Sequence, residues 1–344
     1  MKSFLIRKLL YILPTLFTVT VVTFSLLYVT PGDPVQLLLG ERGASVEAVQ
    51  EMRSLLGLDK SIGKQYLLFL KSIFQGDFGH SIVTSESVSK EFFSYFPATF
   101  ELTFFALLWA FILGIPLGVF AAFKKNTLLD HSIIGLSLFG FSMSIFWWGI
   151  MLILIFSVGL GITPVSGRVS VLYDIPFVTG LYLIDSWFSE DGKQAFLSAL
   201  NHLLLPSLVL GTIPLAFIVR MTRSSVLETL SKDFIRTAKS KGLSFYQVFF
   251  HHAFVNALVP IITVIGFLVG TLLTGAILTE TVFSWPGVGQ WLVQAVLSRD
   301  YPVIKGGVLL ISFIIIGINM MIDIIYTQID PKIRDLLLKK EVIK

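Results

Sequence analysis

Between Asp233 and Pro260 the sequence reads DFIRTAKSKGLSFYQVFFHHAFVNALVP, a basic and polar island between two long apolar segments. The chemistry these residues offer is docking rather than bond-making. Lys232, Arg236, Lys239 and Lys241 crowd the run before Gly242. A basic cluster between two spans belongs on the cytoplasmic side of a membrane. Ala238 and Gly242 lie four apart, on one face of a helix, where small side chains let a bulky partner come close. After Gly242 a second helical pattern follows, with Val248, Phe249, Ala253, Ala257 and Leu258 apolar. Helix, glycine break and second helix fit a docking knob for another protein. They also fit an amphipathic surface helix lying on anionic lipid.

Other chemistries find little support. No GxxxxGK[ST] run is present, so the usual phosphate cradle for ATP is missing from the sequence. No HExxH occurs, and His251 and His252 are adjacent, about a hundred degrees apart around a helix and a poor metal pair. Ser224 and Ser225 have no ordered base in sequence, and there is no cysteine for a disulfide or a thiolate site. The residues give no case for an enzyme. Ionisable groups inside apolar spans are costly and mark pathways by default. Asp323 in the last span, Glu280 at the end of the fifth and Glu101 at the start of the second are the candidates. Glu280 either shapes the outer mouth or gates it. Thr263, Thr271, Thr274 and Thr279 add polarity to the fifth span, although threonine hydroxyls also bond back to their own helix.

These residues need a membrane scaffold to place them. The 344-residue chain is 54% hydrophobic, with a mean hydropathy of +0.82. Apolar runs near or above about 18 residues recur, which marks an all-α polytopic membrane protein. Six spans are expected, at 9–30, 99–123, 132–160, 203–219, 257–279 and 304–329. The third is long enough to tilt. With the N-terminus inside, segments 1–8, 124–131, 220–256 and 330–344 hold 16 basic against six acidic residues, net +10, and the outside pieces are net −3. Both termini are therefore expected in the cytoplasm. The pI near 9.1 reflects these membrane flanks, so no nucleic-acid partner is expected. The first span has an uncharged run of about twenty residues and no small-x-small site, and is expected to stay as an anchor.

Residues 31–98 carry turn signals at Pro31-Gly32-Asp33-Pro34, Gly57, Gly76-Asp77 and Gly79, and a helical stretch from Ser45 to Leu56. They are expected to form a small extracytoplasmic element on which a soluble subunit can rest. The organisation is thus a tail and first span over 1–30, the loop domain 31–98, and a core over 99–344 holding the loop 220–256. Gly114/Gly118 and Gly266/Gly270 permit close helix approach, within the chain or to a partner. Trp147 and Trp148 suit packing rather than a ligand cage.

The whole chain resembles the inner-membrane permease subunits of bacterial peptide ABC transporters, most closely the B-type dipeptide branch. The residues that carry the likeness are TPGDP at 30–34, GERG at 40–43, LGLDK at 56–60, FWWGIML at 146–152 and TPVSGRVS at 163–170. LGTIPLAFIVRMTRSS at 210–225, GAILTETVFSWPGVGQWL at 275–292, RDYPV at 299–303 and GGVLL at 306–310 continue it in order. The family carries a Glu-Ala-Ala-then-Gly pattern in a cytoplasmic loop. Here Ala238 and Gly242 hold its alanine and glycine positions, and Arg236 and Thr237 stand for Glu and Ala, a branch variant.

The resemblance implies a type I-like importer permease fold in which Asp233, Arg236, Thr237, Ala238, Lys241 and Gly242 form a coupling helix seated in an ATPase groove. It implies pathway or gate roles for Thr271, Thr274, Glu280 and Asp323. It implies a second, homologous permease, two ATPase subunits that bind the ATP, an extracytoplasmic peptide-binding protein and surrounding membrane lipid, with no cofactor held by this chain. Dipeptides or short peptides are the implied cargo. Nickel and glutathione importers share the fold. A stand-alone secondary transporter is a different class, and expects inverted repeats that the two halves do not display.

Overall fold

The computed structural model describes residues 2–29, 47, 50, 54 and 59–329. The helical stretch expected over 45–56 and the C-terminal tail from 330 lie outside the described residues. The chain forms two compact units, one of residues 1–95 with 291–317 and one of 96–290 with 318–344.

In the first unit, helix α1 (Lys2–Val29) packs against α2 (Ile62–Phe74). Thr20 Oγ1 and Tyr66 OH lie 2.9 Å apart, and the Phe24 ring sits 5.3 Å from Tyr66 and 5.6 Å from Phe69. No residue of α2 is buried, and Ile62, Leu67, Leu68 and Phe74 are exposed on it. Beyond α2 the chain turns at Gly76 and Gly79, where φ is +76° and +94°. An isolated bridge joins His80 to Ser87 and closes a small loop. Asp300 holds that loop: Ser81 Oγ donates to its carboxylate at 2.6 Å and the Ile82 N–H at 3.1 Å. Trp291 completes the unit, stacked on Tyr95 at 5.9 Å, with its indole N–H given to Glu91 at 3.0 Å.

The second unit is built on α7 (Gly192–Leu230), 39 residues long and uninterrupted by Pro206 or Pro214. Over its most apolar window 61% of residues are buried, against 28–31% in the other three long helices, so α7 is the internal post. Helix α3 (Val88–Phe123) lies close to it because glycines permit the approach. A Cβ on Gly118 would stand 2.6 Å from the Val219 carbonyl, and one on Gly114 2.8 Å from Ile218. Packing inside the chain therefore accounts for this small-residue pair. Helix α9 (Val255–Val282) covers another side of α7, with Leu210, Leu272, Ala276 and Trp285 in one buried cluster.

The third expected span is not continuous. Helix α4 (Leu128–Ser142) and the helix that begins at Ile145 meet at 105°. Met143 and Ser144 are extended there, so the backbone leaves helical geometry between two apolar runs that hydropathy alone joins. The second limb, α5 (Ile145–Leu152), passes into a π-helical turn over Ile153–Gly159. Among the described residues four helices are long and apolar enough to cross a membrane, or five if this bent pair counts as one span. The remaining elements are α6 (Tyr182–Asp185), α8 (Asp233–Ser240), a π-helical stretch over Gln247–Phe254, α10 (Val288–Leu297) and α11 (Tyr301–Ile329).

Candidate functional site

The basic island folds as a short helix lying on its own chain. Only Ile235 and Ala238 of α8 are buried, three residues apart and so on one face. They enter a cluster with Ala122, Val226, Val248, Phe249, Ala253 and Ala257. The second helical pattern thus forms as read from the sequence, and its apolar residues make the seat. Asp233, Phe234, Arg236, Thr237, Lys239, Ser240 and Lys241 remain exposed. Arg236 and Asp233 approach to 3.6 Å, both largely in solvent, and Lys232 bonds Glu228 at 3.0 Å. Exposed pairs of this kind contribute little stability, so the charges stay available to a partner. Beside them Phe245 stacks on Phe249 at 6.1 Å, and Tyr246 on Phe250 at 6.4 Å, which leaves an aromatic rim next to the basic face.

Two sequence expectations change here. Ala238 and Gly242 do not share a helical face, because α8 ends at Ser240 and Gly242 lies past its C-cap. Ala238 is small because it packs inside the chain, with 6% of its surface exposed. Gly242 has φ +78° and nothing within 4 Å of a Cβ built on it. Its need is backbone freedom to stop the helix, not room for a neighbour. The next helix starts at Ser244, whose N–H donates to Gln247 Oε1 at 3.0 Å while its hydroxyl faces the Gln247 N–H at 3.4 Å, a reciprocal cap.

The loop is tied to the bundle by Asp130. Its carboxylate receives Arg223 Nη2 at 2.6 Å and the Asn126 N–H at 2.9 Å. Thr127 caps the same turn of α4. Arg223 lies on α7, seven residues before α7 ends and ten before α8 begins. A displacement of α8 therefore has a short covalent route to the internal post.

A second polar constellation lies at the far end of α9. Glu280 is fully buried. Thr99 Oγ1 donates to it at 2.6 Å, and the Gln290 N–H at 2.9 Å. Thr99 in turn accepts the Val288 N–H at 2.8 Å. A Cβ on Gly287 or Gly289 would overlap the carboxylate, so both positions need glycine for this close approach. Trp285 drops into the same core and gives its indole N–H to the Ala98 carbonyl at 2.9 Å. Glu280 thus fastens the turn after α9 onto α3.

Close by along α3, Glu101 meets Arg168, a partner that hydropathy and spacing do not suggest. Arg168 donates Nη2 at 2.6 Å and Nε at 3.1 Å to Glu101, and Nη2 also reaches the Gly180 carbonyl at 2.7 Å. The Leu183 N–H takes the other Glu101 oxygen at 2.9 Å, and the guanidinium lies 3.8 Å from the Tyr182 ring centre. Asp185 ties the neighbouring loop, accepting from Thr179 Oγ1 at 2.7 Å and from the N–H groups of Thr179 and Gly180 at 2.9 and 2.8 Å. Burial raises its carboxyl, and these hydrogen bonds more than offset that, holding it below the usual carboxylate range.

Of the other pathway candidates, Thr271 is exposed and its hydroxyl donates to the Leu268 carbonyl at 2.8 Å. The side chains of Thr274 and Asp323 lie outside the described residues, although their backbones belong to α9 and α11. Among the described residues no group of three acidic or histidine side chains converges as a metal site.

Long apolar helices around a buried post, with an exposed basic helix seated at one end, define an integral membrane transport component. Comparison places it more narrowly. Residues 114–335 match the model described as "Binding-protein-dependent transport system inner membrane component", and residues 1–103 match that family's N-terminal model. The chain belongs to the binding-protein-dependent transport system inner membrane component family, and it is a multi-pass protein of the bacterial inner membrane. It is 51% identical to the di/tripeptide transport system permease of Pseudomonas aeruginosa over 97% of this chain and 99% of that one. It is 50% identical to the dipeptide transport system permease of Escherichia coli K12, with the same coverage, and 48% identical to that of Haemophilus influenzae over 97% of this chain and all of that one. Among solved structures the MetNI methionine ABC transporter matches with a TM-score of 0.51 at 17% identity, over 68% of this chain and 93% of that one, a likeness of fold.

Proposed function

We propose that the chain is the permease subunit of an ATP-driven importer for dipeptides or short peptides, forming half of a translocation pathway. The observation that carries the reading is the seated helix α8. Its buried face is used inside the chain, and its outer face of Asp233, Arg236, Thr237 and Lys241 has no occupant among the described residues. The ATPases would grip that outer face, and their ATP-driven closure would pass through α8 and Arg223–Asp130 to α7. Ala238 and Gly242 support coupling indirectly, one by seating the helix and the other by ending it.

The remaining subunits follow from this reading: a homologous second permease, two ATPases that bind the ATP, and an extracytoplasmic binding protein resting on the 31–98 and 161–202 regions. Phe100 and Phe104, exposed and stacked at 6.3 Å on α3, offer apolar surface to the second permease or to lipid. Six spans with both termini inside agree with the charge distribution. Glu280 serves as a latch at the outer mouth, and Thr271, Thr274 and Asp323 remain pathway candidates. The dipeptide names of relatives near 50% identity favour peptide over nickel or glutathione as cargo.

The test is uptake by cells that express the chain with the ATPase, second-permease and binding-protein genes from its own locus. Labelled Ala-Ala, nickel and glutathione are offered separately. Uptake of the dipeptide alone, lost when this chain is deleted, supports the reading. Uptake of nickel or glutathione alone reassigns the cargo, and uptake without ATPase genes overturns the importer.

A further inference from the structure

The first unit contains a cavity of about 520 Å³ that neither docking nor the buried latches use. Its walls are Phe69 and Ile73 of α2, the Phe78–Ile82 turn, and Pro302, Lys305 and Leu309 of α11. One cation faces it. Lys305 makes no hydrogen bond or ion pair among the described residues, and its ammonium lies over the Phe69 ring, 5.4 Å from the centre. A lysine at the end of a span ordinarily extends its charge toward water; this one is half-buried against an aromatic wall. The acid nearest in the lining, Asp77, is engaged locally, accepting the Gly79 N–H at 2.9 Å. The positive charge is therefore uncompensated. Helix α2 presents Leu67, Leu68 and Phe74 to its surroundings and carries Lys64 and Lys71, the composition of a helix lying in a membrane interface. Apolar walls, a lone cation and an interfacial helix at one edge match the two ends of a single molecule, a phosphate with acyl chains attached.

We infer that this cavity binds the headgroup of an anionic phospholipid, with its phosphate on Lys305 and its acyl chains along Phe69, Ile73 and Leu309. Basic pockets between spans are suited to such headgroups. Neither the cargo nor the leaflet that the cavity faces alters the chemistry of this site.

The test is native mass spectrometry of the purified full chain in detergent, titrated with phosphatidylglycerol, with diacylglycerol and with glycerol phosphate. The wild type is expected to hold one phosphatidylglycerol that Lys305→Gln binds about five- to tenfold more weakly. Lys305→Arg restores it, and Lys71→Gln, on the exposed side of α2, leaves it unchanged. Removal of an unpaired charge leaves the fold intact, which thermal unfolding of K305Q checks. Equal lipid affinity in K305Q and wild type overturns the site. Diacylglycerol binding as tightly as phosphatidylglycerol removes the role of the anion and overturns the headgroup assignment. Glycerol phosphate binding as tightly as the lipid makes the site one for a soluble anion and overturns the lipid assignment.

Discussion

Replacement of Gly242 separates a backbone requirement from a contact requirement. At φ +78° an L-residue costs roughly 1–2 kcal/mol relative to its preferred conformation, and asparagine bears this better than alanine or a β-branched residue. Nothing lies within 4 Å of a Cβ at this position, so bulk itself is free in the isolated chain. Alanine also recovers about 0.4–1 kcal/mol by restricting the unfolded chain. The expected order of function is therefore glycine, then asparagine, then alanine, with valine worst. The penalty at valine, about 2 kcal/mol, lowers the population of the native turn by roughly thirtyfold. The assay is uptake of labelled Ala-Ala together with co-purification of the ATPases, at matched expression. If Gly242 were instead a close contact with the ATPase, size would rule, and alanine would outperform asparagine. That order would refute the backbone account of this position.

Other outcomes follow from the buried polar groups and the charge distribution. Glu101→Gln strands the Arg168 charge at a site where both side chains are nearly inaccessible, and is expected to cost about 3–5 kcal/mol in unfolding of the purified chain, whereas exchanging both residues for methionine costs far less; equal losses would show that the pair is not coupled. Asp185 has a folded carboxyl held below its unfolded value near 3.9, so its stabilisation is present above about pH 4 and is lost as pH falls through the folded value. The advantage of wild type over Asp185→Asn in unfolding temperature is accordingly expected to shrink on acidification and to be flat from pH 6 to 8. Because the chain has no cysteine, Ser45→Cys and Ser240→Cys are expected to label from opposite sides of the membrane with an impermeant thiol reagent; labelling of both from outside intact cells would contradict the inside position of both termini.

The membrane class is plain in the apolar runs, because a span writes its length directly into hydropathy. The docking island is plain as well, since charge between spans is costly to place anywhere else. What the sequence hides is tertiary. The break at Met143–Ser144 carries no glycine or proline, so nothing local marks it. Arg168 stands out in sequence only as one residue of a family motif, and folding alone brings it 67 positions back to Glu101. The small size of Ala238 does signal a close contact, but with a different neighbour from the one the sequence suggests. Val248, Phe249 and Ala253 lie near it along the chain, and only the turn at Gly242 folds them over it. Glu280 shows its unusual position through its place at a span end, whereas Thr99, its partner on α3, gives no sign.

Coupling depends on which face of α8 meets the ATPase, and cross-linking reads this directly. Arg236, Thr237 and Ala238 are changed singly to cysteine in this cysteine-free chain, and each is paired with an ATPase carrying one cysteine in its groove. With a short bifunctional thiol reagent in intact membranes, Arg236→Cys and Thr237→Cys are expected to join the ATPase, and Ala238→Cys, buried on the chain's own core, is not. Cross-linking at Ala238 with none at Arg236 or Thr237 would contradict the central claim, because it would require the seated face to be the docking face.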